Sequence, residues 1–447
     1  MGFSRFLKSC HICYFFDCQS LLTGFAQLME PSQNMPLWGR IWAFAHNLDG
    51  SRPRQKVPLW ICNFGDTIRV LKPEQQMLET DQNPDATLTP AADPSLSRWP
   101  HRIGVLLTMI VFPLIWLGGL VTSWDAGMAV PDWPGTYGYN MFAYPPSTWF
   151  FGPWDLFVEH GHRQLASIAG FVSIALTWTT FRNDPRRWVK WYSVALFLLV
   201  GFQGLLGGIR VLSDRGSLGD WELMLSARAI ARVHGCIGPL FFMAVVGFCV
   251  VTSRWWFQQN EFRNSGASKR SFISTWPVLM MGAAYAQLMV GACLRHISEG
   301  ASHKEYVLLV AIHIMTAVGL VVGTMFQGMA VWRATRKEPA SKSLMGSVRW
   351  LVLGIVVQFC LGLGTWVVKF GWPVWFENQG FAAGFVVSEK SLFQMNLITA
   401  HVAVGSLILA FWTVQVFRSQ RLFAPSLFGK TPAKAQTNAT SDLDLAT

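Results

Sequence analysis

Charged side chains are scarce in this chain of 447 residues. Asp, Glu, Lys and Arg make up 14% of the sequence, hydrophobic residues make up 51%, and the mean hydropathy is +0.31. This composition excludes an ordinary soluble domain, in which about 25% of the residues are charged. The apolar runs are also too long for barrel strands, and lipid leaves the backbone no alternative other than helices. We therefore predict an all-α membrane protein embedded in a lipid bilayer.

Basic residues are absent from the segment between the first two apolar runs. Residues 123–158 contain no Lys or Arg, whereas segments 182–190, 253–270 and 333–349 are basic. By the positive-inside rule, these basic segments and both termini are cytoplasmic. The net charge of +11 is explained by this topology, so no nucleic acid is expected as a partner. Eight transmembrane helices are predicted, at residues 103–122, 154–181, 191–209, 230–252, 277–294, 306–332, 350–368 and 392–416.

Residues 1–100 lack a helical or strand period and mix Pro, Gln, Asp and scattered aromatics. We predict that they form a poorly ordered N-terminal extension, and they show no signal-peptide pattern. The remainder is predicted to divide into a first four-helix half at 101–253, a cytoplasmic linker at 254–273, a second four-helix half at 274–418 and a disordered tail at 419–447.

Four histidines each begin an apolar run that ends at a basic residue. The pairs are His162–Arg182, His234–Arg254, His313–Arg333 and His401–Arg418, which are 20, 20, 20 and 17 residues apart. Because 20 helical residues span roughly 30 Å, the thickness of the hydrocarbon core, the four imidazoles should lie at one depth. A hydrogen-bonded core histidine or a proton relay would not predict four histidines at equal depth. We therefore predict that the four histidines are ligands of haem iron. The remaining histidines near this level, read as interfacial, are His160, His296 and His303.

A Gln-x-x-x-Gly segment recurs between the histidine-bearing helices. It occurs at Gln203–Gly207 and Gln287–Gly291, and in fainter form at Gln358–Gly362 and Gly118–Gly119. This repeat predicts two tandem four-helix bundles related by an axis along the membrane normal. Helix packing explains any single glycine, but glycines that face two histidines in each bundle favour a porphyrin. Arg210 and Arg295 follow the two clearest segments and are candidate partners for haem propionates.

One of the four histidines has a carboxylate one turn before it. Glu159 and His162 are i and i+3, which places both on one face of a helix. The equivalent residues before the other histidines are Ala231, Val310 and Ile398. The halves are therefore chemically unequal, which suggests that one haem is reacted upon and the other is a cofactor. Alternatively, Glu159 forms only an interfacial ion pair with Arg163 at i+4.

Residues 103–418 resemble the haem A synthase family. The motifs are GGLVTSWDAGMAVPDWP at 118–134, Glu159-x-x-His162-Arg163, Gln203-x-x-x-Gly207-Gly208-x-Arg210-Val211, and His234, His313 and His401. The resemblance implies oxidation of a methyl group of haem O to the formyl group of haem A by successive hydroxylations, with water as the oxygen source. It also implies haem O synthase and cytochrome c oxidase assembly as functional partners, and the cytoplasmic membrane as the location.

The same resemblance implies a role for each site residue. The first half would bind substrate haem O through His162 and His234, with Glu159 as the catalytic carboxylate. The second half would hold cofactor haem b through His313 and His401. Many bacterial members have a cysteine pair at the outer Trp-Pro motif, but residues 130–136 contain no cysteine. A disulfide role at that place therefore cannot apply to this chain.

Two other functions are compatible with the four histidines. A di-haem b-type electron carrier would share the fold and the iron ligands but would give Glu159 no role. A haem transporter would need an open path and reversible ligation. Only a synthase would yield a haem that carries a formyl group.

Overall fold

The computed structural model describes residues 97–214, 227–258, 271–297, 301–336, 342–376 and 378–423. Eight long helices occupy most of these residues, and all are long and apolar enough to cross a membrane. They are α1 Trp99–Ser123, α2 Trp154–Asn183, α3 Arg187–Asp214, α4 Ala227–Val251, α5 Ser271–Arg295, α6 His303–Thr335, α7 Lys342–Phe370 and α8 Leu392–Phe423. For the residues that the structure describes, the prediction of an all-helical protein with eight helices able to span a membrane is confirmed.

Three predicted segments fall wholly or mostly outside the described residues. They are the N-terminal extension up to residue 96, linker residues 259–270 and the tail beyond residue 423. Within the part of the chain that is described, β-type pairing is limited to one isolated bridge between Thr136 and Tyr139. That bridge lies in the segment between α1 and α2, which also holds a short helix at Pro146–Phe150.

Several helices extend beyond the apolar runs that predicted them. Helix α5 begins inside the predicted linker, and α8 continues through residues 419–423 of the predicted tail. The end of α8 is held by polar contacts: Gln420 Nε2 donates to the Ser274 carbonyl at 2.9 Å, and Arg421 Nε donates to the Trp256 carbonyl at 3.2 Å. Hydropathy marks only the part of a helix that lies in lipid, so it does not detect such polar ends.

Helix packing follows the same pattern in both halves. Helices α1 and α3 each pack against α2 and α4, and helices α5 and α7 each pack against α6 and α8. The halves meet where α8 packs against α1 and α4, and where α5 packs against α4. A buried core around Leu176, Leu196 and Phe248 fills the first half, and one around Leu351 and Trp412 fills the second.

Candidate functional site

The fold brings the four predicted histidines together in two pairs. The rings of His162 on α2 and His234 on α4 have centroids 6.4 Å apart. The rings of His313 on α6 and His401 on α8 have centroids 6.3 Å apart. Two imidazoles bound to opposite sides of one metal atom, through bonds of about 2 Å, have centroids about 6 Å apart. Both pairs therefore have the spacing of a bis-histidine iron site.

Each histidine occupies a similar position on its helix. All four stand seven to ten residues after the first residue of α2, α4, α6 or α8. Each also lies against a glycine of the preceding odd-numbered helix. The distances from a Cβ built on the glycine to the imidazole Cε1 are 2.8 Å for Gly118–His162, 3.6 Å for Gly207–His234, 3.3 Å for Gly291–His313 and 3.2 Å for Gly362–His401. Larger residues would push against the rings, so glycine fixes how closely the helices approach.

The histidine rings have unused ligand capacity. Among the described residues, Nδ1 of His162, His234, His313 and His401 is buried without a hydrogen-bond partner. Buried polar atoms without partners are rare because they lose the free energy of hydration. In the same residues no three His, Cys, Asp or Glu side chains come together as a possible metal site. Each pair would therefore need a group that supplies the other metal ligands itself, as a porphyrin does, and the residues fit haem.

The glutamine of the repeated segment contacts the histidine of the next helix. Gln203 Nε2 donates to the His234 carbonyl at 3.0 Å, and Gln287 Nε2 donates to the His313 carbonyl at 2.8 Å. The third copy differs, because Gln358 Nε2 lies 3.4 Å from Nε2 of the His401 ring. The sequence repeat thus corresponds to a repeated contact that positions the histidine-bearing helices.

Glu159 is buried near the N-terminal end of α2, the helix that carries His162. One of its carboxylate oxygens, Oε1, lies 2.6 Å from Arg163 Nη2, and the other accepts the Val130 N–H at 2.9 Å. Arg163 also donates to the carbonyls of Val130 and Asp132, at 2.7 Å and 2.6 Å. The ion pair considered from the sequence is therefore present. Together the two side chains hold the segment after α1 against α2.

The segment between α1 and α2 is also held by hydrogen bonds within itself and by a contact with α3. Asp132 accepts the N–H groups of Tyr137 at 2.7 Å and Gly138 at 2.9 Å. Partial burial acts in the opposite direction, but these donors hold the pKa of Asp132 below its usual value. The Trp133 ring lies directly on Gly208 of α3, where any side chain would overlap it. The segment therefore contacts both the N-terminal end of α2 and the C-terminal part of α3.

His160 differs from the interfacial residue expected from the sequence. It is buried, and its ring nitrogens lie 3.1 Å from Thr136 Oγ1 and 3.2 Å from Gln164 Nε2. The Trp149 ring packs edge-on against it. Both ring nitrogens of His160 have partners within the protein. His160 therefore stabilises the segment between α1 and α2 and is not available as an iron ligand.

The two predicted propionate partners are partly buried at the C-terminal ends of α3 and α5. Arg210 Nη1 donates to the Gly127 carbonyl at 3.2 Å, and Arg210 Nη2 pairs with Asp214 at 3.0 Å. Arg295 Nη2 donates to the Gly119 carbonyl at 2.7 Å and to Ser123 Oγ at 2.5 Å. Arg295 therefore reaches from α5 of the second half to α1 of the first, a contact that sequence spacing did not indicate.

Positive charge accumulates beside these arginines. Burial, followed by the charges of Arg295, Arg232, Arg210 and Arg228, lowers the pKa of His296 to about 4. Four guanidinium groups therefore lie near His296 at the edge between the halves. Such an edge suits carboxylates such as haem propionates.

Comparison with known proteins agrees with these observations. Residues 153–310 match the family described as cytochrome oxidase assembly protein. A heme A synthase of Hyphomonas neptunium is 23% identical over 253 residues, which cover 50% of this chain and 66% of that protein. Heme A synthases of Listeria welshimeri and Listeria monocytogenes are 28% identical over 149 residues, which cover 33% of this chain and 43% of theirs. The matched region is thus less than two thirds of each relative's length. The resemblance to the haem A synthase family that the sequence motifs predicted is confirmed by the family match and by relatives that carry that name.

Proposed function

We propose that this protein is a haem A synthase, a membrane oxidoreductase that converts a methyl group of haem O into the formyl group of haem A. The observation that carries the proposal is an asymmetry between two similar sites. Both histidine pairs have the same ring spacing, the same glycine contacts and the same unpaired Nδ1 atoms. Among the described residues, only the first pair has a buried carboxylate, Glu159, on a helix that carries one of its histidines. In this proposal, Glu159 gives the first site a proton-transfer group, and the second site would serve to bind a cofactor haem.

The assignment of the two haems follows from this asymmetry. Substrate haem O would be held by His162 and His234, on the side of Glu159. Haem b would be held by His313 and His401, and when bound it would supply a one-electron carrier on the exit path. The glycines opposite the four rings would leave room for the flat macrocycles.

The oxidation itself requires a base and a route for electrons. In the first step, the methyl group and water give a hydroxymethyl group, two protons and two electrons, and the electrons would leave one at a time to a one-electron acceptor outside the protein. A second hydroxylation gives a geminal diol, which loses water to become the formyl group. Glu159 would accept the proton from water, because a carboxylate near the reacting carbon is a suitable general base. Arg163 would keep that carboxylate in one orientation through its 2.6 Å contact with Oε1.

Arg210 and Arg295 would bind haem propionates at the outer edge. Both guanidinium groups lie at the C-terminal ends of α3 and α5, and both lie near His296, whose pKa they help to lower after burial. Arg210 belongs to α3 and would serve the first site. Arg295 is anchored on α1, so its position is compatible with either haem.

The architecture that we propose is two tandem four-helix bundles with both termini in the cytoplasm. The matched packing of α1–α4 and α5–α8 supports the tandem arrangement. The basic segments 182–190, 253–270 and 333–349 support the orientation. The protein would lie in the cytoplasmic membrane, take haem O from haem O synthase and deliver haem A for cytochrome c oxidase assembly.

The alternative is a di-haem electron carrier or a haem transporter. Pigment analysis separates these functions from a synthase. Cells that make haem O but lack any other haem A source would express the full chain, and their haems would be extracted, separated and identified by pyridine haemochrome spectra. Formyl-bearing haem in these cells, and none in cells without the chain, supports the proposal. Haem O alone at normal expression would contradict it and favour the carrier or the transporter.

A further inference from the structure

Gly118 and Gly119 of α1 touch histidine-bearing helices from different halves. A Cβ on Gly118 would lie 2.8 Å from Cε1 of His162, and a Cβ on Gly119 would lie 2.8 Å from Cγ2 of Thr399. Thr399 is 1% exposed and stands two residues before His401 on α8. Consecutive residues of one helix therefore contact a ligand of the first pair and the helical turn that carries a ligand of the second.

Arg295 fixes the same part of α1 from a third helix. Its Nη2 donates to the Gly119 carbonyl at 2.7 Å and to Ser123 Oγ at 2.5 Å. Ser123 Oγ in turn lies 3.3 Å from Thr399 Oγ1. Arg295 also stands one helical turn after Gly291, which lies against an imidazole of the second pair. Residues connected to both histidines of the second pair thus converge on α1 beside the first pair.

We propose that Thr399, Ser123 and Arg295 are positioning residues that couple the two histidine pairs. The inference depends on the proposed function only in that each pair holds a haem. Iron ligation at the first pair would fix the His162 ring, which lies against Gly118 of α1. The hydrogen bond between Ser123 Oγ and Thr399 Oγ1 ties α1 to α8 beside this contact, so a shift of α1 would be transmitted to α8 and hence to His401. Such coupling is reciprocal, because the binding of each haem must change the affinity for the other by the same factor.

A contact that served packing alone would stabilise the protein without making one haem respond to the other. The decisive quantity is therefore the affinity of the second pair for haem b, measured with the first pair either loaded or disabled. The first pair is disabled by His162→Ala combined with His234→Ala in the full-length, detergent-solubilised protein. The rate at which apomyoglobin removes haem b, with the absorption and electron paramagnetic resonance spectra, reports on the second pair.

Thr399→Val is the main test variant, because valine keeps the shape of threonine and removes the hydroxyl group that faces Ser123. In the otherwise wild-type protein, we expect that disabling the first pair changes the rate at which apomyoglobin removes haem b from the second pair about tenfold. A change of this size lies within the usual range of coupling between sites. In Thr399→Val that change should become much smaller, while haem b stays bound. Equal responses in the two proteins would overturn the inference.

Gly119→Ala provides a second test that starts from the first half. The added methyl group has to displace Thr399, so we expect altered spectra and about tenfold faster loss of haem b from the second pair, even when the first pair is disabled. Gly170→Ala on α2 is the matched control, since nothing lies within 4 Å of its Cβ position. If Gly119→Ala binds haem at both pairs with the spectra and the rate of haem b loss of the control, the coupling is overturned and the proposed function is left intact. Absence of haem from both wild-type pairs would overturn the proposed function, and this inference with it.

Discussion

Arg163 Nη2 lies 2.6 Å from Glu159 Oε1, and the same guanidinium group binds the main-chain carbonyls of Val130 and Asp132. The carboxylate is therefore held between α2 and the segment that follows α1. An ion pair formed only between exposed side chains would contribute little to stability. Here both partners are largely buried, so the pair can set the position of a functional carboxylate.

Replacing Glu159 with Gln is expected to block haem oxidation while both haem sites stay filled. Glutamine keeps the size of the side chain and can still accept the Val130 N–H, but it cannot accept a proton. General acid–base catalysis contributes about 10²–10⁴ in rate, so the loss of activity should far exceed any change in haem content. The ratio of haem A to haem O in expressing cells measures the effect. A wild-type ratio would show that Glu159 is only a structural partner of Arg163.

Replacing Arg163 with Lys is expected to lower activity and loosen the segment after α1. An ammonium group cannot reproduce the planar set of donors that binds one carboxylate and three main-chain carbonyls. We expect faster proteolytic cleavage within residues 124–138 and less haem A, with little change in bound haem. Arg336→Lys is the control, because Arg336 is exposed at the end of α6. An unchanged rate of cleavage in Arg163→Lys would contradict the proposal that Arg163 holds the segment after α1 against α2.

Replacing Arg210 or Arg295 with Lys is expected to weaken haem retention about tenfold. Arginine binds carboxylates through two parallel hydrogen bonds, which lysine cannot form, and bonds to charged groups are the stronger ones. The rate at which apomyoglobin removes haem would be compared with that of Arg182→Lys, an exposed arginine at the far end of α2. Equal rates in all three variants would exclude a role in propionate binding.

His296 is expected to make the protein less stable in mild acid. Its pKa is lowered from 6.5 to about 4 by burial and by neighbouring arginines. Between these values the unfolded chain holds the proton and the folded protein does not. The contribution of His296 to stability is therefore complete above pH 6.5 and is lost as the pH falls towards 4, by up to about 3 kcal/mol.

The test of this acid sensitivity is thermal unfolding of the solubilised protein at pH 7.5 and pH 4.5. His296→Gln should lose less stability between the two pH values than the wild type. His303→Gln is the control, because His303 is exposed at the start of α6. The prediction fails if His296→Gln and the wild type lose stability equally.

Much of the fold and the histidine pairing could be predicted because the signals are periodic. Long apolar runs mark helices, and the spacing from His162 to Arg182 and its three counterparts predicts similar positions for the imidazoles on their helices, as the structure shows. The i, i+4 relation of Glu159 and Arg163 also indicated their ion pair. These features depend on residues within one helix, where sequence separation translates directly into distance.

The contacts that could not be predicted connect residues far apart in sequence. Ser123 and Thr399 are 276 residues apart, and no local pattern relates α1 to α8. The position of Trp133 on Gly208 depends on the irregular backbone of the segment between α1 and α2, which has no period to detect. The glycine pair at 118–119 was visible in the sequence as a faint copy of the repeat. Its contact with two different helices became apparent only in the folded chain.

The most direct test of the account is the haem content of two double variants, His162→Ala with His234→Ala and His313→Ala with His401→Ala. Each variant would be purified from cells that make both haem b and haem O, and its pigments would be extracted and counted per polypeptide. We predict that the second variant loses haem b and keeps the substrate or product haem, whereas the first keeps haem b and loses the others. Full retention of haem b in His313→Ala with His401→Ala would contradict the assignment of the two sites.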